Sequence, residues 1–199
     1  MRKLVGVVWI LMAVLAANAQ DAAKKQEEKP AATPPPMNVT QILDRQLSNL
    51  ERSLVPLVEA MPEDKFNFAQ SGEGFKGVRT FSQQVGHIAA NNFLFAAALT
   101  GQAPTRITAD DREQGPANLK TKAEFVQYLK DSFAEAHKGV ATVNEQNLTE
   151  QVKFPFMDAK GSRLGISNIF VWHGYDHYGQ MVEYLRMNNI VPPASRSGS

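Results

Sequence analysis

An all-α four-helix bundle is the fold this sequence predicts, and three observations predict it. Four stretches of roughly 20 residues carry apolar side chains at 3–4 residue spacing, the period of a helix with one buried face. Two of those stretches open on capping boxes and a third on an Asn or Thr that can cap it. No segment shows the sustained alternation of a half-buried strand; Val152 to Leu164 alternates weakly around a turn-like Asp-Ala-Lys-Gly and makes at most a small hairpin. With 199 residues, 43% of them hydrophobic and 21% charged, the chain is long and apolar enough for one substantial core.

The first residues, 1–19, read as a signal peptide: Arg2 and Lys3, an apolar run from Leu4 to Ala17, then Ala17-Asn18-Ala19 as a cleavage pattern before Gln20. No cysteine follows to carry a lipid, so the mature protein is expected to be periplasmic or secreted, with no membrane anchor. Residues 20–37, rich in Ala, Lys and Glu and ending in a Pro triplet, have little to bury and read as a disordered linker. The bundle is expected over 38–193, and 194–199 as a disordered tail.

The first helix starts near Asn38 or Thr40, with Ile42, Leu43, Leu47, Leu50, Leu54, Leu57 and Val58 on its apolar face and Pro56 placed to kink its last turn. Residues 66–78, with three glycines, form a loop over the bundle end. The second helix starts at Thr80, where Gln83 completes a capping box, and stops at Gly101. Its apolar set is Phe81, Val85, Ile88, Phe95 and Leu99. After a polar loop from Pro104 to Lys120, Thr121-x-x-Glu124 opens the third helix, with Phe125, Tyr128, Leu129, Phe133, Ala136 and Val140 facing inward. The fourth runs from Ile166 to Met187, before Pro192-Pro193. Each connection is long enough to cross the bundle, so loop length does not select a topology.

Composition narrows function. Losing the leader removes two basic residues and leaves 19 Lys+Arg against 20 Asp+Glu, with no long basic run, which argues against nucleic-acid binding. The absence of cysteine excludes disulfides, cysteine nucleophiles and Cys-ligated zinc. Any metal must be held by nitrogen and oxygen.

Two of the four histidines, His173 and His177, stand i and i+4 on the last helix. That spacing stacks both imidazoles on one face, their Cβ atoms about 5–6 Å apart. Ile166, Ile169, His173, His177, Gln180 and Tyr184 share a stripe that is expected to face the core, while Tyr175 and Tyr178 point away from it and Trp172 reads as core. Buried imidazoles need partners for their ring nitrogens, and a transition metal supplies one. His87, at the edge of the apolar stripe of the second helix, is the better third ligand; His137, beside Lys138 and Glu135, sits at the solvent boundary. Asn91 shares the face of His87. Three neutral imidazoles leave zinc, nickel and iron open as the divalent ion. Spacing alone leaves open a second reading, in which these are hydrogen-bonded core histidines and no metal is held.

The histidine within QQVGHIAANN, followed by HGYDHYGQMVEYLRMNNIVPP, resembles the DinB-like (DinB/YfiT) family of metal-binding four-helix bundles. The segment MPEDKFNFAQSGEGFKGVRTF is similar to the family's first interhelical connection, and the likeness covers about Met37 to Pro193. The family pattern is one histidine on the second helix and H-x-x-x-H followed by Gln on the last, which implies His87, His173, His177 and Gln180 here. It implies a metal-dependent enzyme of hydrolase or thiol-dependent transferase type acting on an unknown small molecule. The thiols used by characterised relatives are cytoplasmic, whereas this chain opens on an export signal, so the reaction stays open. Gln180, Asp176 and Asn91 are the candidates to orient ligands around the metal. The alternative is a non-catalytic exported metal- or ligand-binding helical module; a homodimer is compatible with either.

Overall fold

The computed structural model describes residues 35–154 and 156–196. The expected signal peptide, almost all of the expected linker and the last three residues of the expected tail lie outside the described residues. Four helices form the bundle: α1 (Val39–Ala60), α2 (Phe81–Thr100), α3 (Lys122–Val140) and α4 (Arg163–Met187). Short 3₁₀ turns at Glu63–Lys65 and Glu73–Phe75 occupy the α1–α2 connection, another at Ala109–Glu113 the α2–α3 connection, and a last one at Pro193–Ser195 follows α4.

The helix starts follow local chemistry. Asn38, Thr80 and Thr121 each accept a hydrogen bond from the backbone N–H three residues on, and Gln41, Gln83 and Glu124 reach back to complete three capping boxes. Gly101 ends α2 at φ 70°, the left-handed conformation a glycine adopts without steric cost. Pro56 lies inside α1, which continues past it to Ala60.

α4 begins three residues earlier than the periodicity predicts. A two-stranded antiparallel sheet, β1 (Gln151–Lys153) with β2 (Lys160–Ser162), pairs Val152 with Gly161 and feeds straight into the helix. Ser162 caps the new N-terminus by accepting from Gly165 N–H. Arg163 in the first turn then donates to the Leu99 carbonyl at 2.6 Å, tying the start of α4 to the end of α2.

Around the bundle the helices neighbour one another in the order α1, α3, α2, α4, so consecutive helices α1 and α2 stand diagonally opposite. The long α1–α2 and α3–α4 connections make those diagonal crossings. This topology is what sets α2 beside α4, and hence His87 beside the histidine pair.

α2 is buried on all sides: from Phe81 to Leu99, every residue but Gln83 is buried. The apolar set predicted for it is therefore only part of its core surface. The run AANNFLFAAAL is apolar or small on every face, so α2 can serve as the central helix, and Gly139 of α3 comes close enough that an added Cβ would lie 3.0 Å from Ala96 Cα. Asn92, buried among these residues, donates to Ser132 Oγ of α3 at 3.2 Å, which satisfies an amide that burial would otherwise penalise.

Candidate metal centre

The core face of α4 is turned relative to the predicted stripe. Ile166, Phe170, Gly174, His177, Met181, Tyr184 and Leu185 are buried, while Gln180 is exposed and His173 only half-buried. Gly174 sets this rotation: a Cβ there would lie 2.3 Å from Leu50 Cδ2, so α1 approaches α4 at that point closer than any side chain allows. Trp172, expected in the core, is 60% exposed, because the turned helix carries it outward. Tyr178, assigned to the outer side, packs against the core instead, as does Val182.

The same rotation moves the histidines from the centre of the core to its margin. His87 Nε2 lies 3.1 Å from His173 Nε2, and His177 Nε2 lies 3.2 Å from the same atom. Among the described residues these three form a group whose ligand atoms all fall within 4.8 Å of one another. His137 is not part of it. Its ring bridges α3 to α1, with Nδ1 2.5 Å from Asp44 Oδ1 and Nε2 3.2 Å from Glu51 Oε2.

His87 is oriented by a backbone carbonyl that no sequence pattern predicts. Its Nδ1–H donates to Arg112 O at 2.7 Å, which leaves the Nε2 lone pair facing the other two rings. Asn91 holds this arrangement by donating both to His87 O at 2.8 Å and to Arg112 O at 3.2 Å. The carbonyl reaches the ring because the 3₁₀ turn lies directly on Gly86. A Cβ at Gly86 would sit 2.3 Å from Gln114 O, and the facing Gly115 adopts φ 77°. Gly86 and Gly115 are the only trace of this contact in the sequence.

Asp176 and Gln180, expected beside the ligands, bond to neither ring. Gln180 donates to Asp176 Oδ2 at 3.0 Å and accepts from Gln84 Nε2 at 3.0 Å. Gln84, unremarked by sequence reasoning, lies i−3 from His87 and so on the same face of α2. The other flank of the site is aromatic: the Phe95 ring stands 6.1 Å from that of His173 and contacts Phe154, Phe156 and Phe170.

Electrostatics keep all three rings neutral at physiological pH. Burial pushes His173 down to about 3, with repulsion from His177 and His87 adding to it. Burial likewise pushes His177 down to about 4, aided by His87 and Arg79, and lowers His87, aided by the nearby Arg79 guanidinium. Neutral imidazole is the form that donates a lone pair to a metal. Two of the three spacings fit an ion as well: tetrahedral ligands about 2.0–2.1 Å from zinc lie about 3.3 Å apart, close to the 3.1 and 3.2 Å from His173 to its two neighbours. The Nδ1 atoms of His173 and His177 are buried without a hydrogen-bond partner among the described residues. A donor set of three nitrogens suits zinc, nickel or iron.

A four-helix bundle carrying a three-histidine cluster between its second and last helices is the class of protein that this fold and site define. Residues 46–181 match the DinB superfamily, and the chain belongs to that superfamily. No curated protein matches it. Among solved structures it is similar to a conserved protein from Enterococcus faecalis, with 16% identity, a TM-score of 0.59, and coverage of 76% of this chain and 98% of that one. It is also similar to YfiT from Bacillus subtilis, described as "a probable metal-dependent hydrolase with an unusual four-helix bundle topology", with 17% identity, a TM-score of 0.55, and coverage of 82% and 95%. At these identities the likeness is one of fold.

Proposed function

We propose that this protein is an exported metal-dependent hydrolase whose divalent transition metal is held by His87, His173 and His177. The observation that carries this reading is the convergence of three neutral Nε2 atoms, two contacts of 3.1 and 3.2 Å, at the margin of the core. The description of the YfiT structure supports it by analogy of fold.

A divalent ion held there supplies Lewis acidity, acidifying water and polarising a carbonyl. The chain's own residues do the rest. The Arg112 carbonyl fixes the His87 tautomer, Asn91 fixes that carbonyl, and burial keeps the three rings unprotonated. The Arg79 guanidinium acts electrostatically on all three rings and adds positive potential where negative charge would develop during attack on a carbonyl.

The test is metal content of untagged protein, followed by turnover. Stoichiometric metal in the wild type, lost in both His87→Ala and His173→Ala, supports the centre, and no uptake at any added concentration removes it. Ester and amide hydrolysis that needs the metal and disappears in His177→Ala makes the protein an enzyme. No metal-dependent turnover above the His177→Ala background would favour a binding module. Export is tested separately by N-terminal sequencing of the protein made in a bacterial host, with a new terminus expected at Gln20.

A further inference from the structure

Beside the histidine cluster, between the α1–α2 connection and the C-terminal half of α4, lies a cleft of about 570 Å³. Its size is that of a small-molecule site. Phe75, Val78 and Met187, three exposed large apolar side chains, converge on it. Gln84 and Gln180 also line it, each one helical turn from a histidine of the cluster, His87 and His177 respectively.

The two charged groups that line the cleft are already paired. Arg79 donates through Nε to Glu113 O at 2.8 Å and through Nη2 to the Glu113 carboxylate, and Glu183 lies 2.9 Å from Arg186 Nη1. The Tyr184 hydroxyl is spent on Arg79 O at 2.6 Å. Among the described residues two polar atoms of the lining side chains are left over, Gln70 Oε1 and Gln84 Oε1. Gln84 is 3% exposed, and its Oε1 is buried with no hydrogen-bond partner.

The direction in which that amide points is dictated from outside. The Asp176 carboxylate only accepts, so Gln180 must turn its Nε2 toward it. Gln180 Oε1 then faces Gln84, which must donate with its own Nε2. Gln84 Oε1 is thereby held as an unpaired acceptor on a side chain that lines the cleft. An unmet acceptor of this kind selects a ligand that brings a donor and rejects one that does not.

We infer that the cleft binds a neutral, largely apolar carboxamide, whose N–H bonds to Gln84 Oε1 under the control of the Asp176–Gln180 pair. The choice of amide over alcohol rests on the hydrolase reading: in an amide the donor nitrogen is bonded directly to the carbonyl carbon, and a turn of α2 separates Gln84 from His87. An ester of the same shape has a carbonyl and no donor, and loses the Gln84 contact. Gln84 and Gln180 act here as positioning residues, and Asp176 acts through them.

The experiment uses phenylacetamide and N,N-dimethylphenylacetamide as probes. They share ring and carbonyl and differ in the N–H. Both are titrated against the zinc-loaded protein, with binding and the Gln84 side-chain amide followed by NMR. The primary amide is expected to bind about tenfold more tightly. Gln84→Leu should erase that preference. Asp176→Asn, an exposed change that leaves the core intact, should shrink it toward unity, because an asparagine can donate to Gln180 and let Gln84 turn over. Equal affinity of the two probes, an unchanged preference in Asp176→Asn, or no binding of either up to its solubility overturns the inference. Zinc content of the same samples reads the metal centre independently. Preference without zinc keeps the cleft and discards the centre, and zinc without preference does the reverse.

Discussion

The protein holds its four histidines in two places, and the two places treat the ring differently. On the α1–α3 side, His137 has a carboxylate at each nitrogen, Asp44 on one and Glu51 on the other. On the α2–α4 side, three rings face one another and, among the described residues, only His87 has a protein partner for its second nitrogen. His137 has an acceptor beside each nitrogen, and its two contacts stitch α3 to α1. The α2–α4 rings are held close, kept neutral and left with lone pairs that point at each other. Burial separates the two cases only in part, since His87 and His177 are buried but His173, like His137, is half-buried. What separates them is the chemistry of the partners: acceptors on both sides of a ring settle it, whereas other imidazoles leave a vertex for a cation.

The comparison breaks most sharply when one ring is removed from each place. His177→Ala should lower zinc affinity by at least about 100-fold, since loss of a direct ligand should cost more than loss of the groups that orient ligands. His137→Ala should leave the affinity within about twofold. Competition with a chelating dye measures both, and equal losses would mean that the metal is not where the three rings meet. Next in size is Gly86→Ala. The added methyl collides with the Gln114 carbonyl, so the 3₁₀ turn must move off α2, at a cost of about 1–3 kcal/mol. Because that turn carries Arg112 O, zinc affinity should also fall about tenfold. Denaturant melts and dye competition on the same variant separate the two effects. A stability loss without an affinity loss would show that the Arg112 carbonyl does not matter to His87.

Much of this architecture is legible in the sequence, and the illegible parts share a cause. Helix identity is local: Asn38, Thr80, Thr121 and Gly101 announce ends that depend on four or five consecutive residues. The H-x-x-x-H spacing is local too, so one face of α4 could be read in advance. Rotation of that face is not local. It is decided by Leu50 closing on Gly174 from a helix more than a hundred residues away, and this is why Trp172 and Gln180 turn outward against expectation. The Arg112 carbonyl is invisible for a second reason, since a backbone atom leaves no residue type to read. Gln84 lay within reach of inspection, three residues before His87 in QQVGHIAANN, but its role depends on Gln180 and Asp176 from another helix.

A smaller effect sharpens the contrast through pH. Folding holds His173 at about 3 and His177 at about 4, against about 6.5 in the unfolded chain. Between those values the unfolded chain binds protons that the folded protein refuses, so stability rises with pH across the window. The metal-free protein should therefore be fully stabilised by these rings above about pH 6.5 and lose that contribution as pH falls toward 4. Bound zinc, which competes with protons for the same nitrogens, should delay the loss to lower pH. Melting temperatures from pH 7 to pH 4, with and without zinc, measure it. In His173→Gln the slope should flatten, and a slope unchanged by that substitution would assign the acid sensitivity to other groups.

The smallest expected effect belongs to the α1–α3 histidine. His137→Gln keeps a side chain able to donate to Asp44 or Glu51 but removes the chance of a charged contact with both. All three groups are partly solvated, with the His137 side chain 27% exposed, Glu51 35% and Asp44 51%, so water screens what the ring contributes. Exposed ion pairs of this kind contribute about 0–1 kcal/mol, and His137→Gln should destabilise the protein by no more than that, with zinc content unchanged. A double substitution, His137→Gln with Glu51→Gln, should cost about the same as the single one if the ring and Glu51 act as a pair. A cost above about 2 kcal/mol for the single variant would mean that α3 depends on this clasp to stay on α1, and would place the two histidine sites on an equal structural footing.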